Sequence, residues 1–177
     1  MALEIERRFL VEGDDWKTIA GNPQYLRQGY LATSIRGWTV RMRILEKAKA
    51  WLTLKAPAEG ISKYEFEYSI PLDDAESLWE KAPYKITKNR YELNCHGNDW
   101  VIDCFKGRNY PLVIAEVELT SSEQPIEKPT WCYQEITSNQ QLSNAALART
   151  PITSWSKKDR QNMQIQLHDK ENPSLLG

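Results

Sequence analysis

Acidic and basic residues recur at alternate positions along short extended stretches of this chain. Glu4, Glu6 and Arg8 alternate with Leu3, Ile5 and Phe9. Arg41 and Arg43 alternate with Val40, Met42 and Ile44, and Lys55 follows Leu52 and Leu54 in opposite phase. Glu65 and Glu67 alternate with Tyr64, Phe66 and Tyr68. Lys88 and Arg90 share a side, as do Glu116 and Glu118, and Asp103 stands alone between Ile102 and Cys104. Alternate residues of a strand share a face, so each stretch has one charged and one apolar face. A solvated outer face explains any single case. The set is harder to explain that way, because ordinary wet faces carry more Thr, Ser and Gln. A sheet closed into a barrel with its charged face inward accounts for the whole pattern.

Such a lumen cannot be dry and empty, because unpaired buried charge is too costly. Arg41, Arg43, Lys55, Lys88 and Arg90 can surround a polyanion, and arginine forks match phosphate oxygens in pairs. Glu4, Glu6, Glu116 and Glu118 cannot face phosphate directly, but they can hold hard divalent cations that bridge to it. Bases for phosphates and carboxylates for Mg²⁺ or Mn²⁺ describe a phosphoryl-transfer site.

The elements that must position these residues follow from the same alternation. Eight strands are expected, at about 3–11, 25–33, 38–45, 50–55, 63–70, 86–93, 98–105 and 112–120. Turns are expected at Ile35-Arg36-Gly37, Pro57-Ala58-Glu59-Gly60, His96-Gly97-Asn98 and Gly107-Arg108-Asn109-Tyr110-Pro111. The short spacings favour antiparallel hairpins. Residues 14–20 read as a short helix. Residues 73–82 read as a clearer one, with Asp73 and Glu76 as a capping-box variant and Pro83 as its stop. The two helices and the C-terminal region are expected to cover the barrel's apolar outside. The fold class is thus mainly β with some helix (α+β), an eight-stranded antiparallel closed barrel. Residues 1–150 form the barrel domain. Residues 151–177 are a polar C-terminal tail, read first as loosely held and alternatively as a helix over 157–167.

Composition narrows the function. The chain has 177 residues, 41% hydrophobic and 27% charged, with a net charge of −1. That is globular and long enough for one domain with a real core. The charge balance excludes nucleic-acid binding by bulk positive charge, and no apolar run approaches a membrane span. Three cysteines, Cys95, Cys104 and Cys132, have no Cys-x-x-Cys spacing, which argues against a zinc site and for a reducing cytoplasm. His96 and His168 are the only histidines, and both lie in polar sequence. No glycine-rich phosphate loop is present.

Glu4-Ile5-Glu6-Arg7-Arg8 resembles the Glu-x-Glu-x-Lys signature of the CYTH superfamily, the triphosphate tunnel metalloenzymes. The likeness continues in order through Leu26-Arg27-Gln28-Gly29-Tyr30-Leu31, Arg41-Met42-Arg43, Leu52-Thr53-Leu54-Lys55 and Glu65-Phe66-Glu67. It ends with Lys88-Asn89-Arg90-Tyr91, Asp103 and Glu116-Val117-Glu118. The chain is most similar to the short bacterial inorganic tripolyphosphatases. The resemblance implies metal-dependent hydrolysis of a triphosphate, with inorganic tripolyphosphate as the small polyanionic substrate and a homodimer as the assembly. It implies phosphate binding by Arg8, Arg41, Arg43, Lys55, Lys88 and Arg90. It implies metal binding by Glu4, Glu6, Asp103, Glu116 and Glu118, and catalytic roles for Arg8, Tyr30, Glu65 and Glu67.

The chain departs from the family pattern in three places. Arg8 stands where the signature has lysine; it keeps the charge but cannot act as a base. That leaves a second reading, a polyphosphate-binding regulatory protein with weak or no catalysis. The stretch Asn139-Gln140-Gln141-Leu142-Ser143-Asn144 lacks the family's basic residues and tyrosine, so a tunnel-capping role is not expected for it. Residues after Pro151 fall outside the resemblance. The superfamily's breadth also keeps open a nucleoside or thiamine triphosphatase and a class IV-type adenylate cyclase. A structural or partner-binding role rests only on the tail and the seven tryptophans.

Overall fold

The computed structural model describes residues 2–33 and 37–163. Eight antiparallel strands close into a barrel: β1 (Ala2–Val11), β2 (Gln24–Thr33), β3 (Thr39–Leu45), β4 (Lys49–Pro57), β5 (Ser62–Ser69), β6 (Tyr84–Cys95), β7 (Asn98–Phe105) and β8 (Val113–Glu118). The strands run β5-β4-β3-β2-β6-β7-β8-β1 around the barrel, and β5 pairs with β1 to close the seam. A ninth strand, β9 (Cys132–Glu135), was not expected. It shares an edge of β1 with β5: β5 pairs with residues 2–5 and β9 with residues 9–11. The four residues of β9 are too short for a pattern, and their pairing is set by where β5 leaves the edge of β1 open.

Register confirms that the charged residues share the lumen face. Arg8 lies opposite Glu116, Glu6 opposite Glu118, Arg90 opposite Asp103 and Lys55 opposite Glu65. The apolar outer face is covered in two places. Over β2–β4 lies α1 (Leu72–Lys81), burying Ala75 with Leu72, Leu78 and Trp79 against Met42, Ile44 and Ala50. Gly29 allows this approach, since a Cβ there would come within 2.8 Å of the Ala82 Cβ. The expected capping box is absent: Pro71 occupies the N-cap and no side chain caps the helix. Glu76 instead forms a fork with Arg27 of β2, whose guanidinium lies over Trp79. Over β1, β7 and β8, the connection after β8 brings Leu119 and Trp131 onto Phe9, Trp100 and Val117. The expected helix at 14–20 is a single 3-10 turn, Asp15–Thr18, which buries Trp16 against Tyr91.

The C-terminal region does not cover the outside. It carries α2 (Asn144–Arg149), capped by Ser143, and α3 (Lys157–Asn162). Leu142, Leu147 and Ile152 pack against Leu10, Tyr30, Ile86, Phe105 and Ile114. Those five residues have the same strand phase as the charged lumen residues, so this segment plugs one end of the barrel. Packing continues past the compositional break at Pro151: Ile152 is fully buried and its N–H donates to the Asn109 Oδ1. The rest of the alternative 157–167 helix, His168 and the turn at Ile35-Arg36 lie outside the described residues.

Candidate active site

The alternation of the strands converges on one cavity of about 850 Å³. Glu4, Glu6, Arg8, Tyr30, Arg41, Arg43, Lys55, Glu65, Glu67, Arg90, Glu116 and Glu118 all line it. The bases are held by the acids. Lys55 Nζ donates to both Glu4 oxygens, at 2.7 and 2.6 Å, and lies 3.5 Å from Glu65. Arg43 forks onto Glu67 at 3.0 and 3.1 Å. Arg41 stands 3.7 Å from Glu65 and from Glu67. Arg90 reaches Glu116 at 3.2 Å. Each of these bases thus has an acidic partner within 4 Å.

Lys88 and Asp103 lie behind this lining, both wholly buried. Asp103 accepts from Arg90 Nε at 2.8 Å through one oxygen, and from Lys88 Nζ at 2.5 Å and Arg90 Nη2 at 2.7 Å through the other. Its oxygens are committed to two bases. Burial alone would raise its carboxyl, but Arg90 and Lys88 outweigh burial and hold it well below the usual carboxylate range. Burial pulls Lys88 down to about 8 against the attraction of Asp103. A group of that kind loses its charge as pH rises through 8. The same titration changes stability. Between the folded value and the ordinary lysine value the unfolded chain binds the extra proton, so this group's contribution rises with pH.

Arg8 is also almost fully buried. Its Nε donates to Glu116 Oε1 at 3.1 Å and its Nη2 to the Leu142 carbonyl at 2.9 Å. It therefore ties the plug segment to the lumen wall. Tyr30 lines the cavity with its ring in the apolar plug, and burial pushes its phenol up to about 12 although Arg41 opposes this.

Several lining residues escaped the sequence reading. Lys63 donates to Glu6 at 2.7 Å. Its signal was present, since positions 63, 65 and 67 share a phase. Thr53 and Gln28 are buried polar residues in lumen phase. Thr137, Ser138, Asn139, Gln140, Ser143 and Asn144 form a neutral polar wall, and Lys88 donates to the Asn144 Oδ1 at 3.2 Å. The expectation that this stretch has no capping role is corrected: it closes the lumen through amides and hydroxyls in place of bases. It has no strand alternation to announce it.

A model of the CYTH domain matches residues 2–150. The chain belongs to the CYTH family. An inorganic triphosphatase of Acetivibrio thermocellus is 36% identical over 159 residues, covering 89% of this chain and all of the relative. An inorganic triphosphatase of Nitrosomonas europaea is 34% identical over 149 residues, covering 82% of this chain and 96% of the relative. The crystal structure of the inorganic triphosphatase NE1496 has a TM-score of 0.61 at 32% identity, covering 84% of this chain and 95% of that one. The closed eight-stranded CYTH tunnel is therefore the architecture of this chain. Among the described residues no helix is long and apolar enough to cross a membrane.

CYTH triphosphatases depend on metal, and the donor set fits a hard cation. Among the described residues no three acids, histidines or cysteines are already gathered in metal-holding geometry. Yet Glu6 and Glu118 stand directly opposite each other, with Glu116 two residues along the same face. Like charges facing across a ladder destabilise it. A divalent cation on carboxylate oxygens removes that repulsion.

Proposed function

We propose that the chain hydrolyses inorganic triphosphate to pyrophosphate and phosphate, with Mg²⁺ or Mn²⁺ as the divalent cation. The observation that carries this reading is charge balance in the lumen. The bases Arg8, Arg41, Arg43, Lys55, Lys63, Lys88 and Arg90 share the barrel's inner face with at least as many acids, Glu4, Glu6, Glu65, Glu67, Glu92, Asp103, Glu116 and Glu118. A bare triphosphate would meet as much repulsion as attraction there. A triphosphate neutralised by divalent cations meets bases for its oxygens and carboxylates for its cations. The names of the two relatives support the substrate.

In this reading Arg41, Arg43, Lys55 and Arg90 take phosphate oxygens and stabilise the charge that develops on the departing pyrophosphate. Glu65 and Glu67 keep Arg41, Arg43 and Lys55 pointed inward before substrate arrives. Glu6, Glu116 and Glu118 would hold the cation, which supplies charge neutralisation and polarisation of phosphate oxygens when bound. Arg8 stays protonated, so its part is to bind and to anchor the plug, not to accept a proton.

The test is phosphate release from tripolyphosphate with Mg²⁺ and with Mn²⁺, beside a chelator control and parallel ATP and pyrophosphate reactions. Release from tripolyphosphate that the chelator abolishes is the expected outcome. Folded protein that binds tripolyphosphate but releases nothing would replace hydrolysis with a binding role.

A further inference from the structure

Thr53 is the one wholly buried hydroxyl residue among the described residues, and its side chain joins two charged groups of the site. It lies on β4 directly opposite Arg41 of β3 and Glu67 of β5, so the three form a single row across the sheet. Its Oγ donates to Glu67 Oε2 at 2.8 Å and accepts from Arg41 Nη2 at 3.2 Å. A hydroxyl has one proton to give and lone pairs to receive, and here both capacities are used. Arg41 and Glu67 are themselves 3.7 Å apart, too far for a direct hydrogen bond. The same carboxylate is forked onto Arg43.

We infer that Thr53 is a positioning residue that keeps Arg41 from closing onto Glu67. The hydroxyl stands between the two charges and is bonded to both. It thereby holds Glu67 on Arg43 and leaves the Arg41 guanidinium facing the lumen. Without it, Glu67 loses a donor and Arg41 an acceptor. Both losses are cured by one movement, a direct pair between them. Arg41 would then have to break a direct ion pair before it could turn to phosphate.

The inference rests on the triphosphatase reading, and the wild-type assay separates the two. A folded wild-type protein that releases no phosphate overturns the reading itself. With wild-type activity in hand, Thr53→Val removes the hydroxyl at nearly constant volume. The expected result is a rise in KM for tripolyphosphate of about tenfold, the worth of a hydrogen bond to a charged group. kcat should fall less than KM rises. Thr53→Ser keeps the hydroxyl and should restore most of the affinity. The decisive measurement is the double variant. In an Arg41→Ala background, Thr53→Val should have no further effect on KM or on calorimetric tripolyphosphate binding. Additive losses in that background, or Thr53→Val indistinguishable from wild type, would overturn the positioning role. If Thr53→Val fails to fold, Thr53→Ala with Thr53→Ser in the same cycle answers the same question.

Discussion

Replacing Asp103 by Asn is expected to destabilise the protein by about 3–5 kcal/mol. The change keeps shape and removes charge. Lys88 is wholly buried beside it, and Arg90 spends both its Nε and its Nη2 on it. A buried base without its counter-ion bears the full desolvation cost. Arg90 cannot shed its proton, and Lys88 escapes only by becoming neutral, which burial already favours. For a chain of this size the loss corresponds to a fall in melting temperature on the order of 10 °C. Thermal unfolding of the two proteins side by side checks this, and a shift of less than 2 °C would contradict it. The carboxylate's own share of the effect should be nearly constant from pH 5 to 8. A carboxylate held low in the folded state contributes fully above its unfolded value and loses that contribution only as pH falls toward the folded one.

Replacing Arg41 or Lys55 by Ala is expected to lower kcat/KM for tripolyphosphate by about 10²–10³ while leaving the fold intact. Losing one donor aimed at developing charge carries a cost of that order in other enzymes. Both side chains are partly exposed to the lumen, and the acids they leave behind, Glu65, Glu67 and Glu4, can be solvated there. Stability is therefore spared where activity is not, the reverse of Asp103. Arg7 supplies the control. It belongs to β1, beside the lumen residues Glu6 and Arg8, but points outward, where it forks onto Glu135 at 2.9 and 2.6 Å. Arg7→Ala should keep full activity. Steady-state kinetics with circular dichroism on the three variants decides the matter. Equal turnover in the Arg41, Lys55 and Arg7 variants would remove the lumen bases from the reaction.

The closed barrel was legible because period-two alternation survives wherever one strand face is charged and the other apolar. All eight strands lie within a few residues of their expected places. His96-Gly97 was legible as a hairpin turn, since both residues take positive φ and glycine does so without strain. The turn after β3 was not, because Glu46 and Lys47 take positive φ without belonging to the types that favour it. Tertiary pairing of β3 with β4 overrides local preference there. Glu76 was misread as a cap because spacing cannot show that Arg27 waits on a neighbouring strand. In the site, alternation marked residues that touch the lumen but not their depth. Asp103 looks like any other lumen acid until the strands curl, and only then are both its oxygens occupied. The plug segment was unreadable for a simpler reason: its polar contacts are made by Ser143, Asn144 and the Leu142 carbonyl, none of which carries a periodic signal.

Every base named in the lumen already has an acidic partner within 4 Å. On the proposed reading binding is an exchange of partners, and the two halves of the exchange are thermodynamically linked. When Glu6 or Glu116 turns to a cation, it releases Lys63, or Arg8 and Arg90, for phosphate. When those bases turn to phosphate, they free the carboxylates for cations. By linkage, each ligand must raise the affinity for the other by the same factor. A lone monovalent anion offers too few oxygens to replace a carboxylate fork, and a lone cation leaves bases unpaired. In that reading the pairing within the tunnel acts as a coincidence detector, tuned to a polyanion and its cations arriving together.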